Sequence, residues 1–89
     1  MMKIVWDEAK RQANMDVHGY DFVDALRFPW DRAKVRETRP GLHGNKRFQA
    51  IGPMDGQLVS IVFGTLGTEG VSVLSMRPAG KKERRWHDE

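Results

Sequence analysis

The feature that most constrains the fold is a nearly uncharged centre between two charged ends. Residues 48–76 carry only two charged side chains, Asp55 and Glu69. Within this centre, Leu58 to Thr65 is rich in apolar and β-branched residues on both faces, which is typical of a central strand. Val71 to Met76 has the same character, and a turn separates the two stretches. The centre therefore predicts a small sheet of hairpin-connected strands.

A short β-prone run, Lys3 to Trp6, and then helix-forming signals precede this centre. Asp7 stands where an N-cap belongs, apolar positions follow at helical spacing, and Gly19 stands where helices usually stop. The sequence therefore predicts a helix over residues 7–18. Asp21 can cap a second, short helix, which Pro29 ends because proline cannot continue the hydrogen-bond ladder.

Further strands and a last helix complete the predicted order β-α-α-β-β-β-β-α. Residues 31–39 are highly charged and alternate loosely, which indicates an exposed edge strand. Residues 46–51 predict a strand, residues 52–56 a hairpin turn, and residues 78–86 a polar helix. Because the loops are short, an antiparallel meander is the simplest topology. The expected fold class is α+β, a small antiparallel sheet with two N-terminal helices and one C-terminal helix, in a single domain of residues 1–89.

The composition excludes several kinds of site. The chain has no cysteine, which rules out disulfides, a thiol nucleophile and a cysteine-rich zinc site. Its three histidines lack metal-ligand spacing, so we expect neither a metal nor a cofactor. The glycine-rich stretch Gly64 to Gly70 lacks the pattern of a phosphate-binding loop and is interpreted as a hairpin. The longest apolar stretch, Leu58 to Leu66, is far shorter than the ~18 residues of a membrane span. We therefore expect a soluble, cytoplasmic protein without a membrane partner.

The positive charge is concentrated in two blocks. Residues 31–47 carry six basic and two acidic side chains, a net charge of +4. Residues 77–89 carry five basic and three acidic side chains, a net charge of +2. Such blocks are expected in a protein that binds a phosphate-rich or acidic partner. The alternative is that they serve solubility alone.

Three blocks of residues, in order along nearly the whole chain, form a recognisable signature. The first matches the pattern W-D-x-x-K-x-x-x-N-x-x-x-H-G followed by F-x-x-A. The second resembles an arginine followed by G-x-x-R-x-x-x-I-G, and in the third a strand ending in S-A-R precedes a helix with an E-R pair. The matching residues are Trp6, Asp7, Lys10, Asn14, His18, Gly19, Phe22, Ala25, Arg39, Gly44, Arg47, Ile51, Gly52, Gly56, Gln57, Leu58, Val59, Val73, Ser75, Arg77, Ala79, Glu83 and Arg84. In these three blocks the chain resembles the BrnT family of toxins.

This resemblance implies a RelE-like α+β fold and ribonuclease activity. It also implies neutralisation by a BrnA-type antitoxin, with the complex repressing its own operon. Operator DNA would be contacted only indirectly, through the DNA-binding domain of the antitoxin. The chain departs from the family at Asn45, which stands where a glutamate is usual, at Met76 in place of alanine, and at Trp86 in place of tyrosine. Any acid–base role of the glutamate therefore does not transfer to Asn45.

The chemistry of RNA cleavage by the 2′-hydroxyl directs attention to three residues. The crowded phosphorane needs positive charge, which arginine supplies through a planar fork that stays protonated. Arg47 at the start of a strand and Arg77 at the end of another are therefore predicted phosphate clamps. If Phe48 and Ala50 face the core, Arg47 and Gln49 face the other way, because side chains alternate along a strand. Glu83 is the best remaining carboxylate for a general base or a bridging role. The alternatives are a solvated strand face for the arginines, and for Glu83 a salt bridge to an arginine or an i,i+4 partner such as His87.

Further residues are predicted to bind the partners. Arg39 and Lys46 lie in the first basic block and are expected to hold RNA, with His43 nearby as an RNA contact and candidate general acid. Trp86 is expected to contact the antitoxin, because tryptophan is enriched in interface hot spots, and Arg84 beside it is assigned to the same surface.

The leading functional hypothesis is a metal-independent endoribonuclease toxin. A second hypothesis is a binding module that docks antitoxin or RNA without catalysis, and the Asn45 departure keeps this alternative open. A third is a purely structural partner that positions an antitoxin on operator DNA.

Overall fold

The architecture is a five-stranded mixed sheet with one helix near each end of the chain. The computed structural model describes residues 3–89, so the first two residues of the expected single domain lie outside this description. The regular elements are β1 (Lys3–Trp6), α1 (Glu8–His18), β2 (Lys34–Thr38), β3 (Arg47–Met54), β4 (Gln57–Leu66), β5 (Gly70–Pro78) and α2 (Lys81–Asp88). No helix among residues 3–89 is long and apolar enough to cross a membrane.

Helix α1 begins and ends where the sequence predicts. The Asp7 side chain accepts a hydrogen bond from the backbone N–H of Lys10 at 3.0 Å, and Gly19 ends the helix with a left-handed φ of 75°. Its one buried residue, Asn14, joins it to the sheet: the side-chain amide donates to the carbonyl of Met76 at 2.9 Å and accepts from its N–H at 3.1 Å. Asn14 thereby provides hydrogen-bond partners for the N–H and carbonyl of Met76, which lies in β5 beyond Val73, the last residue that pairs with β1.

The second N-terminal helix, which Asp21 caps as the sequence predicts, is a 3-10 helix rather than an α-helix. The segment forms a 3-10 helix over Phe22–Leu26, and a second short 3-10 helix follows over Trp30–Arg32. A 3-10 helix places residues three apart on one side. Phe22 and Ala25 are therefore buried, whereas Leu26 is 65% exposed.

The sheet is mixed rather than antiparallel, which corrects a second prediction. The strand order is β1-β5-β4-β3-β2. Strands β2 to β5 form the predicted antiparallel meander, with β4 as the middle strand. The meander leaves one edge of β5 open, and β1 pairs with it in parallel, Lys3 opposite Gly70. A parallel pair needs a long connection, which here is most of the chain.

The hairpin between β3 and β4 is tighter than predicted. Only Asp55 and Gly56 form the turn, with φ angles of 54° and 82°, the positive values that a two-residue type I′ turn requires. Gly52, expected in this turn, lies inside β3. A side chain there would meet Phe28 at 3.0 Å, so the glycine makes room for the core.

Alternation along the strands gives the sheet two different faces. One face packs against the 3-10 segment through buried residues such as Phe22, Ile61 and Val73. On β3, Phe48 and Ala50 lie on this core face, so Arg47 and Gln49 lie on the other, as the sequence predicts. We call this other side the polar face, and α2 covers part of it, in contact with β3.

Candidate functional site

Two groups of side chains lie on the polar face. The first, which we call the basic cleft, is a depression of about 650 Å³ beside the start of β3. The second, which we call the Arg77–Glu83 cluster, lies under α2. Its members come from β2, β3, β4, β5 and α2: Arg36, Gln49, Ser60, Arg77, Glu83 and Trp86.

A bidentate ion pair forms the centre of the Arg77–Glu83 cluster. Nη1 and Nη2 of Arg77 donate to the two carboxylate oxygens of Glu83 at 2.7 and 2.6 Å. These bonds, with others from the backbone N–H of Gly80 and the side chain of Gln49, lower the pKa of Glu83 to about 2. The same pair raises the pKa of Arg77. Because so weak a base accepts a proton poorly at neutral pH, this geometry suits Glu83 to bridging rather than to general-base catalysis.

Gln49 links the ion pair to the neighbouring strands. Its amide nitrogen donates to Glu83 at 2.6 Å and to the hydroxyl of Ser60 at 2.9 Å, and its oxygen accepts from Nε of Arg36 at 2.9 Å. Only 6% of Gln49 is exposed, and all of its bonds are to protein groups. Sequence reasoning missed Gln49, Ser60 and Arg36. The available signal was a glutamine at an outward position of a strand that is otherwise apolar.

Trp86 attaches α2 to the edge strand β2. The guanidinium of Arg36 lies 4.3 Å from the centroid of its ring and the ammonium of Lys34 lies 5.4 Å away. Lys34 also donates to the backbone carbonyls of Trp86 and Glu89 at 2.7 and 2.8 Å, at the end of the helix. The exposed Arg84 lies elsewhere on α2, beside Pro53 and other residues of the β3–β4 hairpin. The two residues assigned to the antitoxin therefore do not share one contact patch.

The basic cleft brings three of the predicted residues together. His43, Lys46 and Arg47 line it, and Lys10 of α1 lines it too, a residue that only the family pattern pointed to. The lining contains no carboxylate, and within residues 3–89 neither Lys10, Lys46 nor Arg47 forms an ion pair. These cations are available to an anionic ligand.

The loop between β2 and β3 shapes one wall of this cleft. The N–H of Gly41 donates to the carbonyl of Asn45, and the N–H of Gly44 donates to the carbonyl of Gly41, both at 3.0 Å. A side chain at Gly41 would meet Nε of Arg47 at 3.0 Å, so this glycine leaves space for the guanidinium. Asn45 also lines the cleft, whereas Arg39, exposed at the start of the loop, is not among its lining residues.

The structure separates Arg47 from Arg77. Arg77 lies opposite Ser60, and Ser60 opposite Ile51, four residues along β3 from Arg47. With about 3.3 Å per residue and about 4.8 Å between strands, the Cα atoms of the two arginines are roughly 16 Å apart. They share the polar face but belong to different groups.

Comparisons with known proteins identify relatives of the whole fold. A family model described as ribonuclease toxin, BrnT, of type II toxin–antitoxin system matches residues 6–83. The crystal structure of the Brucella abortus ribonuclease toxin BrnT, at 1.1 Å resolution, is 41% identical in sequence with a TM-score of 0.75. The match covers 91% of this chain and 100% of that chain. No curated protein sequence matches.

Proposed function

The chain belongs to the BrnT family of ribonuclease toxins of type II toxin–antitoxin systems, and from this premise we propose that it cleaves RNA on the polar face of its sheet without a metal ion or cofactor. The observation that carries the proposal is the basic cleft, which Lys10, Lys46 and Arg47 line and which has no carboxylate in its lining. Among residues 3–89, no three histidine, aspartate or glutamate side chains come together as a metal site.

In the proposed reaction the 2′-hydroxyl gives up its proton to water, its oxygen attacks the adjacent phosphorus, and the bond to the 5′-oxygen breaks. A 2′,3′-cyclic phosphate and a 5′-hydroxyl result. Arg47 binds the phosphate oxygens bidentately and stabilises the charge of the phosphorane. Lys46 holds the neighbouring phosphate. His43, exposed on the cleft wall, protonates the departing 5′-oxygen.

The Arg77–Glu83 cluster has a supporting role in this proposal. Glu83 and the carbonyl of Pro78 occupy both protons of Nη1 of Arg77, and Glu83 takes one proton of Nη2. The Nε–H and the second Nη2 proton are left for a phosphate. Glu83 thus fixes the orientation of Arg77, which clamps RNA at a phosphate beyond the one that is cleaved. Arg39 is proposed to add charge at the far side of the loop.

As a type II toxin, the protein has an antitoxin partner. We propose a BrnA-type antitoxin whose acidic segment covers the polar face, with the complex repressing its operon through the DNA-binding domain of the antitoxin. Trp86 and Arg84 are the proposed contacts from α2, Trp86 at the β2 side and Arg84 beside the β3–β4 hairpin. The fold is proposed to be RelE-like, supported by the antiparallel arrangement of β2 to β5.

The experiment that tests this function measures cleavage of single-stranded RNA by the purified chain in excess EDTA. We expect cleavage to persist, to yield 2′,3′-cyclic phosphate ends, and to fall by about 100-fold in Arg47→Ala, the effect of removing one donor to a developing oxyanion. Arg32→Ala is the matched control. Arg32 is an exposed arginine of the 3-10 helix Trp30–Arg32, outside the cleft and the cluster.

Two results would contradict the proposal. Loss of cleavage in EDTA, with recovery on adding a divalent metal, would overturn metal independence. Equal rates for Arg47→Ala and Arg32→Ala would show that the active site lies outside the basic cleft. Growth arrest on inducing the chain alone, relieved by Arg47→Ala, separates a toxin from a docking module.

A further inference from the structure

The steric contacts around Gly64 do not require a glycine at this position. It lies inside β4, opposite Ser72, and its φ is not positive. A Cβ added there would have one heavy atom within 4 Å, the carbonyl oxygen of Lys46 at 3.8 Å. Gly52 in β3 is the contrast, because a side chain there would press on Phe28 at 3.0 Å.

Neither a steric clash nor a positive φ therefore explains the missing side chain of Gly64. A glycine inside a strand often marks a β-bulge or the close approach of a ligand or of another backbone. The pairing of β4 with β5 shifts register between Val62 and Phe63, whereas the pairing of β4 with β3 is regular there, and the space on the polar side of Gly64 stays open.

The open space above Gly64 is the basic cleft. Gly64 forms part of its lining, on the polar face beside Arg47. Three leucines also line the cleft: Leu74 of β5, Leu66, which is 45% exposed, and Leu42, which is 99% exposed. The site therefore combines an apolar lining and a bare backbone floor with unpaired cations. Its volume of about 650 Å³ falls in the usual range for small-ligand pockets, about 300–1,000 Å³.

We propose that the cleft seats one nucleobase of single-stranded RNA directly on the backbone at Gly64, which deepens the proposed function and rests on it. A base has flat, apolar faces, and it can approach a peptide plane closely only where no side chain intervenes. Leu66 and Leu74 contact the seated base, and Leu42 closes over it. Arg47 and Lys46 hold its phosphates. The base must be unpaired, because a base in a duplex is stacked and cannot reach the floor.

Binding of oligonucleotides that cannot be cleaved tests this seat. The probes are a single-stranded 2′-O-methyl RNA of mixed sequence and an abasic strand of the same length and charge. The wild-type chain should bind the base-bearing strand about tenfold more tightly, the effect of roughly 1.4 kcal/mol of base contact. Gly64→Val should abolish this preference and Gly64→Ala should reduce it, with the affinity for the abasic strand unchanged. Val62→Ile, which adds bulk on the same strand and face one pleat away, should retain the wild-type preference.

Each result decides between the seat and its alternatives. If Gly64→Val binds both strands as the wild type does, while Arg47→Ala weakens both, the cleft binds RNA but has no base seat at Gly64. If Gly64→Val weakens both strands equally, the cleft holds only the backbone, which also overturns the seat. If Arg47→Ala changes neither affinity, the proposed function of the cleft itself fails. Should Gly64→Val not fold, the wild-type preference for bases and its reduction in Gly64→Ala decide the question.

Discussion

The basic cleft and the Arg77–Glu83 cluster lie on one face of one sheet, and an arginine is central to each, but their charges are used differently. In the cluster, Arg77 is neutralised by a carboxylate that contacts both of its terminal nitrogens. In the cleft, Arg47 and Lys46 have no ion-pair partner among residues 3–89. The comparison shows that counting basic residues in a sequence gives more positive charge than is available to a ligand, because some of these residues are already paired with carboxylates. An arginine in a bidentate pair has already replaced its hydration with a carboxylate.

Because of this difference, we expect the cluster to contribute to the stability of the fold and the cleft to contribute to ligand binding. The cluster fixes α2, a helix without buried residues, to the sheet through Glu83, Gln49 and Trp86. Its bonds are made in the folded state, and they contribute to the free energy of unfolding. The cleft cations make no comparable bonds, so their energetic contribution comes only when a ligand binds.

The largest expected effect is on stability, in Glu83→Ala. The substitution leaves the partly buried Arg77 without its carboxylate and removes an acceptor from Gln49 and from the N–H of Gly80. We expect a loss of about 2–3 kcal/mol in the free energy of unfolding. Arg47→Ala should change it by less than about 0.5 kcal/mol, as a substitution without lost partners does. Urea unfolding of both variants measures this contrast. Equal losses in the free energy of unfolding would contradict the difference between the two regions.

A smaller effect is expected on the pH dependence of stability. The pKa of Glu83 lies near 2 in the folded protein and at 4.5 as its ordinary value, so its contribution is present above about pH 4.5 and disappears as the pH falls towards 2. The pair is partly exposed, and screening limits the contribution to about 1–2 kcal/mol. Glu83→Gln should remove this part of the acid destabilisation. If urea unfolding between pH 2 and 5 gave parallel curves for Glu83→Gln and the wild type, the ion pair would not be the source.

The smallest effect is expected on the salt dependence of RNA binding, which tests the difference between the two arginines most directly. Each phosphate neutralised on a single strand contributes about 0.7 to the slope of log K against log salt. Arg47→Ala and Lys46→Ala should each lower the slope by about this amount. Arg77→Ala should lower it less, because Glu83 already balances the charge of Arg77. Titrations of an uncleavable RNA at several salt concentrations measure the slopes, with Arg32→Ala as control. Equal decreases for Arg77→Ala and Arg47→Ala would contradict the distinction.

The parts of the fold that the sequence predicts are those determined by neighbouring residues. Helix α1 is bounded by Asp7 and Gly19, whose hydrogen bonds and backbone angle are local, and the meander follows from apolar strands separated by short turns. The parallel pairing of β1 with β5 joins residues at opposite ends of the chain, so no local pattern indicates it. The 3-10 conformation of Phe22–Leu26 was missed because capping by Asp21 is compatible with either type of helix.

In the candidate site, too, the features that the sequence predicts are local, and those that it does not predict depend on contacts between distant residues. The prediction that Arg47 points away from the core needs only strand alternation, and nearness in sequence brings His43 and Lys46 beside it. The pairing of Glu83 with Arg77, left open as an alternative to catalysis, depends on how α2 returns over the sheet. Gln49 and Ser60 join this network only through cross-strand register. Gly64 was interpreted as part of a hairpin because a glycine within a strand has no local signature distinct from that of a turn.

The pairing of β1 with β5 also determines when during synthesis the protein can acquire its fold. The hairpin of β3 and β4 has a tight local turn and can form early, whereas β1, although it precedes this hairpin in the chain, has no partner until β5 follows. Translation at about 5–20 residues per second makes this delay last on the order of seconds. The polar face is therefore completed only after β5 and α2 have been synthesised. While residues 7–69 are being made, the nascent protein lacks the assembled sheet that carries the proposed site.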